Sequence, residues 1–394
     1  MDPIKNPFSP GAGSPPPELV GRDQNFEQFR ILFGRIKQKR SEKNIILTGI
    51  RGVGKTVLLN EIERLAKKNG HQTIFIEAQE NQELIRLISP LIRKLLFDLN
   101  RTSGASEISN NSLAVLHRFI EGVKVKENEQ ILEGTVEPKK KPDENGELEA
   151  NLSSLLVAIG EVAEILQSLV AILIDEIQYF SQPELSSLII AMHKIQQLQL
   201  PVVLIAAGLP TMPGLAGESK TYSERLFRFP NIGALSKEDA EKALRVPAQT
   251  MGVSFEQGAL DEIFRLTKGY PYFLQEWAYH VWNRSTENII TLQTVQDSTS
   301  SVISSLDENF FRVRFDRLTP SEKNFLRAMA EPGSSAKRIG DVALTLNIKA
   351  NSISPIRSSL IKKGMVYSPA YGTISFTVPL FDEFILREIP ELDL

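Results

Sequence analysis

The chain has 394 residues, 42% of them hydrophobic and 24% charged, with a formal net charge of −3. That is enough chain for two or three domains, and the charge balance gives no global pull toward nucleic acid or membrane. The absence of cysteine excludes disulfides and thiolate metal sites, and His71, His117, His193 and His280 are too scattered to suggest a zinc site.

The first stretch, MDPIKNPFSPGAGSPPPEL, is rich in Pro and Gly, lacks an apolar core, and reads as neither signal peptide nor anchor. Residues 1–18 are expected to be a flexible or surface-pinned arm. With no apolar run of about 18 residues elsewhere, the sequence predicts a soluble, cytoplasmic protein without membrane contact. From Leu19 helices and strands alternate: a helix through QNFEQFRILFGRIKQKR, a strand NIILTG, a helix KTVLLNEIERLAKKNG and a strand QTIFIEA. Such alternation predicts an α/β fold with a parallel sheet covered on both faces. After a helix in QELIRLISPLIRKLLFDLN, the charged stretch over 101–150 predicts a mobile surface insertion. A long helix to Leu169 leads into the apolar strand of VAILIDEIQYF, and after the helix PELSSLIIAMHKIQQLQ the strand PVVLIAAG extends the sheet to about Gly208. Residues beyond about 229 read as helical to about 305, and 306–394 as helices ending in two short strands.

The junction of the first strand and its helix carries Gly49-Ile50-Arg51-Gly52-Val53-Gly54-Lys55-Thr56, followed by Val57. It fits the phosphate-binding pattern G-x-x-x-x-G-K-[ST] in the strand-to-helix setting that pattern requires. Glycines let backbone N–H groups curl around phosphates, the helix N-terminus adds positive potential, Lys55 reaches the β/γ-phosphates, and Thr56 serves as a Mg²⁺ ligand. In AILIDEIQ, an apolar strand ends in Asp175 and Glu176. Beside a P-loop, Asp175 is expected at Mg²⁺ and Glu176 as the carboxylate that orients or deprotonates the attacking water. The alternative is an acidic pair that caps the next helix.

Together with ELVGRDQNF and TKGYPYFLQEWAYHVW, these motifs resemble the AAA+/STAND group of P-loop ATPases, near archaeal-type ATPases and origin-recognition initiators. The resemblance runs over roughly 19–390. It implies an AAA+ domain over 19–228, a helical lid over 229–305 and a winged-helix domain over 306–394, with ATP and Mg²⁺ as ligands. It also implies that Val20-Gly21-Arg22-Asp23 packs at the adenine and that Gly269-Tyr270-Pro271 closes over the base. Asp23 and Asn25 stand where the group has glutamates. VVLIAAGLP ends in Ala207-Gly208 where a polar sensor residue is usual, leaving Thr211 as the nearest polar residue, and the lid shows no obvious sensor arginine. These departures imply slow turnover and a switch more than a motor. In TYSERLFRF the resemblance puts Arg225 in the place of an arginine finger acting on a neighbouring subunit, with Arg228 as its rival and an ordinary solvated or paired arginine as the alternative.

At the C-terminus, Thr319-Pro320-Ser321-Glu322 is a helix-capping sequence. KRIGDVALTLNI, KANSISPIRSSLIKKGMV and YGTISFTV then read as two helices and a hairpin wing, with residues 351–363 as the recognition helix. Between Pro332 and Phe381 six basic residues face one acid, Asp341. Ser352, Ser354, Arg357, Lys362 and Lys363 are therefore the expected DNA contacts, with Ser358 beside them. The leading expectation is an ATPase that assembles into a nucleotide-dependent homo-oligomer and engages duplex DNA, cycling between ATP and ADP. Two other readings stay open: a nucleotide-gated scaffold whose winged helix docks an unidentified protein partner, and ATP binding with negligible hydrolysis.

Overall fold

The computed structural model describes residues 1–11, 13, 15–80, 82–103, 144–331 and 336–392. Residues 104–143 of the expected 101–150 insertion thus lie outside the described residues. The chain divides into two compact units: one comprises Asp23–Thr48 and Leu58–Asn231, the other Met1–Arg22, Gly49–Val57 and Ile232–Leu394.

The first unit holds a five-stranded α/β core. Its elements are α1 (Asp23–Lys37), β1 (Asn44–Thr48), α2 (Lys55–Lys68, of which Leu58 onward belongs here), β2 (Gln72–Glu77) and α3 (Leu84–Ser103). They continue with α4 (Glu144–Ile165), β3 (Val170–Asp175), α5 (Gln182–Gln197), β4 (Val202–Gly208), α6 (Met212–Ser219), α7 (Ser223–Leu226) and β5 (Phe227–Arg228). The strand order is β2-β3-β4-β1-β5, and every pairing is parallel. β3 and β4 are buried along their whole lengths because helices cover both sheet faces, which is why VAILI and VVLIA are unbroken apolar runs. Ile172, Ile174 and Leu204 pack with Ile88 and Ile92 of α3, Leu155 and Ile159 of α4, and Leu188 and Ile195 of α5. Removing one of these side chains down to alanine would cost about 2–5 kcal/mol. Parallel strands end on a common edge, so Thr48, Glu77, Asp175 and Gly208 share one edge of the sheet.

The second unit starts with the N-terminal arm, which takes the surface-pinned form. Phe8 is 2% exposed and sits edge-on to Phe255 and Trp282 at ring distances of 6.4 and 6.3 Å. Asn6 Nδ2 donates to Tyr279 O and Asn283 Oδ1, and Trp282 Nε1 donates to Asp2 O. A segment too polar to fold alone is thus held by one aromatic anchor and backbone hydrogen bonds. The helical lid comprises α8 (Lys237–Thr250), β6 (Ser254–Phe255), α9 (Gln257–Thr267), α10 (Pro271–Arg284), β7 (Ile289–Ile290) and α11 (Leu292–Leu306). Its short parallel β6–β7 pair has no counterpart in the all-helical expectation.

The C-terminal region follows a π-turn over Asp307–Phe311. It contains α12 (Arg312–Phe315), α13 (Pro320–Ala330), β8 (Lys337–Arg338), α14 (Ile339–Thr345), α15 (Ala350–Lys362), β9 (Val366–Tyr367), β10 (Thr373–Phe376) and α16 (Phe381–Glu388). β8, β10 and β9 form a small antiparallel sheet in that order, an arrangement consistent with a winged helix. The β9–β10 hairpin is the expected wing. β8 has no sequence signal, because its two residues are too few to show periodicity.

Candidate nucleotide site

The glycine-rich loop runs out of β1 at Gly49 and into α2 at Lys55, the first helical residue, as the sequence pattern requires. Gly52 and Gly54 have φ of +83° and +92°, a region that favours glycine, and a Cβ on Gly52 would lie 3.2 Å from Tyr270 Cε1. Lys55 is 5% exposed, and its Nζ donates to Gly49 O and Ile50 O at 2.9 and 3.0 Å. A buried ammonium folded back on its own loop carbonyls is a cation held ready for an anion of higher charge density.

Other segments of the same unit grip this loop. Arg22 donates to Val53 O at 3.2 Å and Gly233 O at 2.7 Å. Burial lowers its pKa from the ordinary arginine value while Asp239 opposes the shift. The resemblance sets Arg22 at the adenine; in the structure its guanidinium spans the loop and the start of the lid, and Val20 is half-buried just before it. Tyr270, 4% exposed, donates its phenolic O–H to Arg51 O at 2.6 Å, and burial followed by Tyr367 pushes its pKa well above the ordinary phenol value. Pro271 starts α10. On the far side of the loop, the Arg51 N–H donates to Thr377 O at 3.0 Å, and a Cβ on Gly364 would fall 2.5 Å from the Arg51 guanidinium. Thr377 is fixed in turn by donating its hydroxyl to Gly364 O and Met365 O. Neither Arg51–Thr377 nor Arg22–Val53 has a sequence signal, because both join backbone carbonyls to distant residues.

The acidic pair belongs to the sheet unit. Asp175 is 3% exposed at the end of β3, and its Oδ1 accepts the Glu176 N–H at 2.9 Å. Glu176 is half-buried with φ +51° and ψ +39°, a left-handed conformation uncommon for a residue with a side chain. Gln178 Nε2 donates to Glu176 Oε2. The helix-cap alternative is not what the side chain does: α5 is capped by Ser181 and Glu184, which form their own capping box. Thr211 precedes α6 without a side-chain capping bond. In the loop's unit, a hydroxyl, a buried ammonium and glycine backbone are a donor set that fits a nucleotide's phosphates; in the sheet unit, the carboxylate pair is of a kind that suits a divalent metal. Among the described residues no cluster of three or more His, Asp or Glu could hold a metal by itself.

The two candidate finger arginines differ. Arg228 is bound to Glu42 at 2.6 Å, whereas Arg225, on α7, is exposed and makes no ion pair among the described residues. On α15, Ser352, Ser354 and Lys362 are exposed. Arg357 donates to Ser368 Oγ, and Lys363 Nζ binds both carboxylate oxygens of Glu322 at 2.9 and 2.7 Å and Arg317 O at 3.2 Å. Glu322, 3% exposed, also accepts from Ser359 Oγ and Thr319 N. Burial alone would raise its pKa, but the Lys363, Ser359 and Thr319 donors hold it down to about 2. Lys363 is therefore committed inward and differs from the solvated lysine its sequence neighbours imply.

Residues 18–205 match the model of the AAA ATPase domain family. The chain carries an AAA ATPase domain. A second model, for a domain of unknown function (DUF8462), matches residues 308–385, nearly the whole C-terminal region of the chain. An uncharacterised HTH-type transcriptional regulator of Methanocaldococcus jannaschii is 24% identical over 368 residues, covering 90% of this chain and 85% of that protein. Among solved structures, a Walker-type ATPase of Pyrococcus abyssi aligns with a TM-score of 0.51 at 15% identity, covering 93% of this chain and 96% of that one, a likeness of fold alone. The Aeropyrum pernix Orc1 protein in complex with DNA aligns with a TM-score of 0.44 at 16% identity over 95% of this chain and 94% of that chain. No helix among the described residues is long and apolar enough to cross a membrane.

Proposed function

We propose that this AAA ATPase is an ATP-dependent switch whose nucleotide state governs how the C-terminal winged helix engages duplex DNA. Bound Mg²⁺ would neutralise the phosphate oxygens and draw charge from the breaking bond. Gly49, Ile50, Arg51, Gly52, Val53, Gly54 and Val57 would supply the loop's backbone cradle, Lys55 would hold the β/γ-phosphates, and Thr56 and Asp175 are the residues that would serve as metal ligands. Glu176 orients the attacking water and takes up its proton. Val20, Arg22, Tyr270 and Pro271 enclose the base side of the site.

The switch reading rests on the Arg51 N–H bonded to Thr377 O. A P-loop amide hydrogen-bonded by the strand end of the C-terminal region makes the loop's conformation depend on that region, and the converse follows by linkage. Phosphates that draw Arg51 N–H to themselves would compete with Thr377. DNA engagement is supported by the M. jannaschii relative, which is described as an HTH-type regulator, and by the exposed basic residues Arg338, Lys349 and Lys362. Arg225 then serves a neighbouring copy in a nucleotide-dependent homo-oligomer.

A second reading, a nucleotide-gated scaffold that docks a protein partner, is favoured by one observation. Arg357 and Lys363 point their charges inward, while Leu344 and Tyr371 of the C-terminal region are 80% and 106% exposed. Sizing the protein with ADP and with a non-hydrolysable ATP analogue, each with and without duplex DNA, separates the two. A DNA-bound assembly only with the analogue supports the switch; nucleotide-driven assembly that ignores DNA supports the scaffold.

A further inference from the structure

The end of β4, Ala207-Gly208-Leu209, offers no polar side chain, yet it is hydrogen-bonded toward the acidic pair through one residue. Gln178 lies in the 3₁₀ turn Ile177–Tyr179 that follows Glu176. The turn is fixed by its buried Ile177, 0% exposed, and by the Tyr179 N–H donating to Glu176 O at 3.0 Å. At one end of the Gln178 amide, Oε1 accepts the Leu209 N–H at 3.2 Å. At the other, Nε2 donates to Glu176 Oε2. β3 and β4 are paired neighbours, with Ile174 opposite Ala206, so the turn after β3 and the end of β4 lie side by side and a glutamine side chain can span them. The fit depends on Gly208: a Cβ there would stand 3.0 Å from Gln178 Oε1, 3.0 Å from Ile177 Cγ2 and 2.6 Å from Met212 Cγ.

The geometry points to Gln178 as a positioning residue for Glu176. A glutamate side chain at the end of a strand has three rotatable bonds, and a carboxylate that must orient a water molecule gains from a donor that fixes one oxygen and leaves the other free. Asp175 cannot supply it, since its Oδ1 is an acceptor taken by the Glu176 N–H. The Gln178 amide can, and because its own oxygen is tied to the Leu209 N–H, its orientation is fixed by the backbone at the end of β4. Any displacement of that strand end is passed to the carboxylate. The hydrogen-bonded backbone of Leu209 thus does through Gln178 what a polar side chain on β4 would otherwise do directly. This inference rests on the reading of Glu176 as the water-orienting carboxylate.

The test is ATP affinity and steady-state hydrolysis for wild type, Gln178→Met, Glu176→Gln and the double variant. Gln178→Met keeps the side-chain length and removes both hydrogen bonds. It is expected to lower kcat about tenfold, with ATP affinity within about twofold of wild type, and to add no further loss in the Glu176→Gln background, since residues acting as one unit are non-additive. Hydrogen exchange at the Leu209 amide should quicken in Gln178→Met even without nucleotide. Gln178→Glu keeps the acceptor for Leu209 N–H and removes the donor to Glu176, so it should show the same fall in kcat with Leu209 exchange unchanged, which covers the case that the methionine variant is misfolded. Wild-type kcat in both single variants, or losses that multiply in the double variant, would overturn the inference. If wild type itself shows no hydrolysis and Glu176→Gln changes nothing, the role of Glu176 falls and this inference with it, an outcome told apart by the silent Glu176→Gln.

Discussion

Replacing Lys363 with alanine should destabilise the C-terminal region, even though the residue sits among charges that read as solvent-facing. Lys363 Nζ supplies both carboxylate oxygens of Glu322 with a charged donor, and Glu322 is 3% exposed. A fall from the ordinary 4.5 to about 2 corresponds to at most about 3–4 kcal/mol of preference for the ionised carboxylate in the folded state. That preference is divided among Lys363, Ser359 and Thr319. With Lys363 contributing more than the two neutral donors, and its side chain 31% exposed to screening solvent, Lys363→Ala should cost about 1–2 kcal/mol at neutral pH. Because the folded pKa is depressed, this stability is fully present above the unfolded value and is lost as pH falls from about 4.5 toward 2. The difference between wild type and variant should therefore shrink on acidification. Hydrogen exchange of the α13 amides in the full chain, compared at about pH 7 and about pH 3, reads this without assuming two-state unfolding. Wild-type protection in Lys363→Ala at neutral pH, or a deficit that persists undiminished in acid, would refute the reasoning.

Lys55→Ala should abolish tight ATP binding, as its buried ammonium is the loop cation assigned to the β/γ-phosphates, while Glu176→Gln should keep binding and lose hydrolysis; titration with a fluorescent ATP analogue and a turnover assay check both. Arg225→Ala should lower turnover without weakening ATP binding, and wild-type turnover per subunit should rise with protein concentration; a flat profile removes the trans role. Arg228→Ala should instead leave Glu42 paired with Arg35 alone and leave turnover nearly unchanged. Phe8→Ala should detach the arm from the lid, since the anchor is a fully enclosed ring whose truncation costs about 3–5 kcal/mol where it cannot be refilled. Faster tryptic cleavage after Lys5 in that variant is the readout.

The sheet, the loop and the acidic pair are legible in the sequence because each is written in local pattern. Apolar runs mark strands buried on both faces, Gly49 to Thr56 fits a strand-to-helix glycine-loop pattern, and Asp175-Glu176 closes an apolar run. The capping box of Thr319 and Glu322 is equally visible, and it is present. What the sequence hides is where a local feature meets a distant one. Nothing near Lys363 announces Glu322, 41 positions earlier, so Lys363 looks like a solvated basic residue. Arg22 is assigned by its motif to the base, yet its donors go to main-chain carbonyls, which leave no trace in sequence. Phe8 looks like part of an unstructured arm because its partners, Phe255 and Trp282, lie far along the chain. Gln178 falls between two conspicuous carboxylates and a turn, and only the proximity of the β4 end gives it a role.

The switch account is tested most directly by titrating duplex DNA at several salt concentrations against wild type bound to a non-hydrolysable ATP analogue, wild type bound to ADP, and a variant with Arg338, Lys349 and Lys362 all replaced by alanine. These three are exposed, unlike Lys363, so the variant should fold normally. The account predicts tighter binding with the analogue than with ADP, and in the variant a log–log salt slope shallower by about 0.9 for every DNA phosphate that is no longer neutralised. Equal affinity in both nucleotide states, with a slope the variant leaves unchanged, would contradict it.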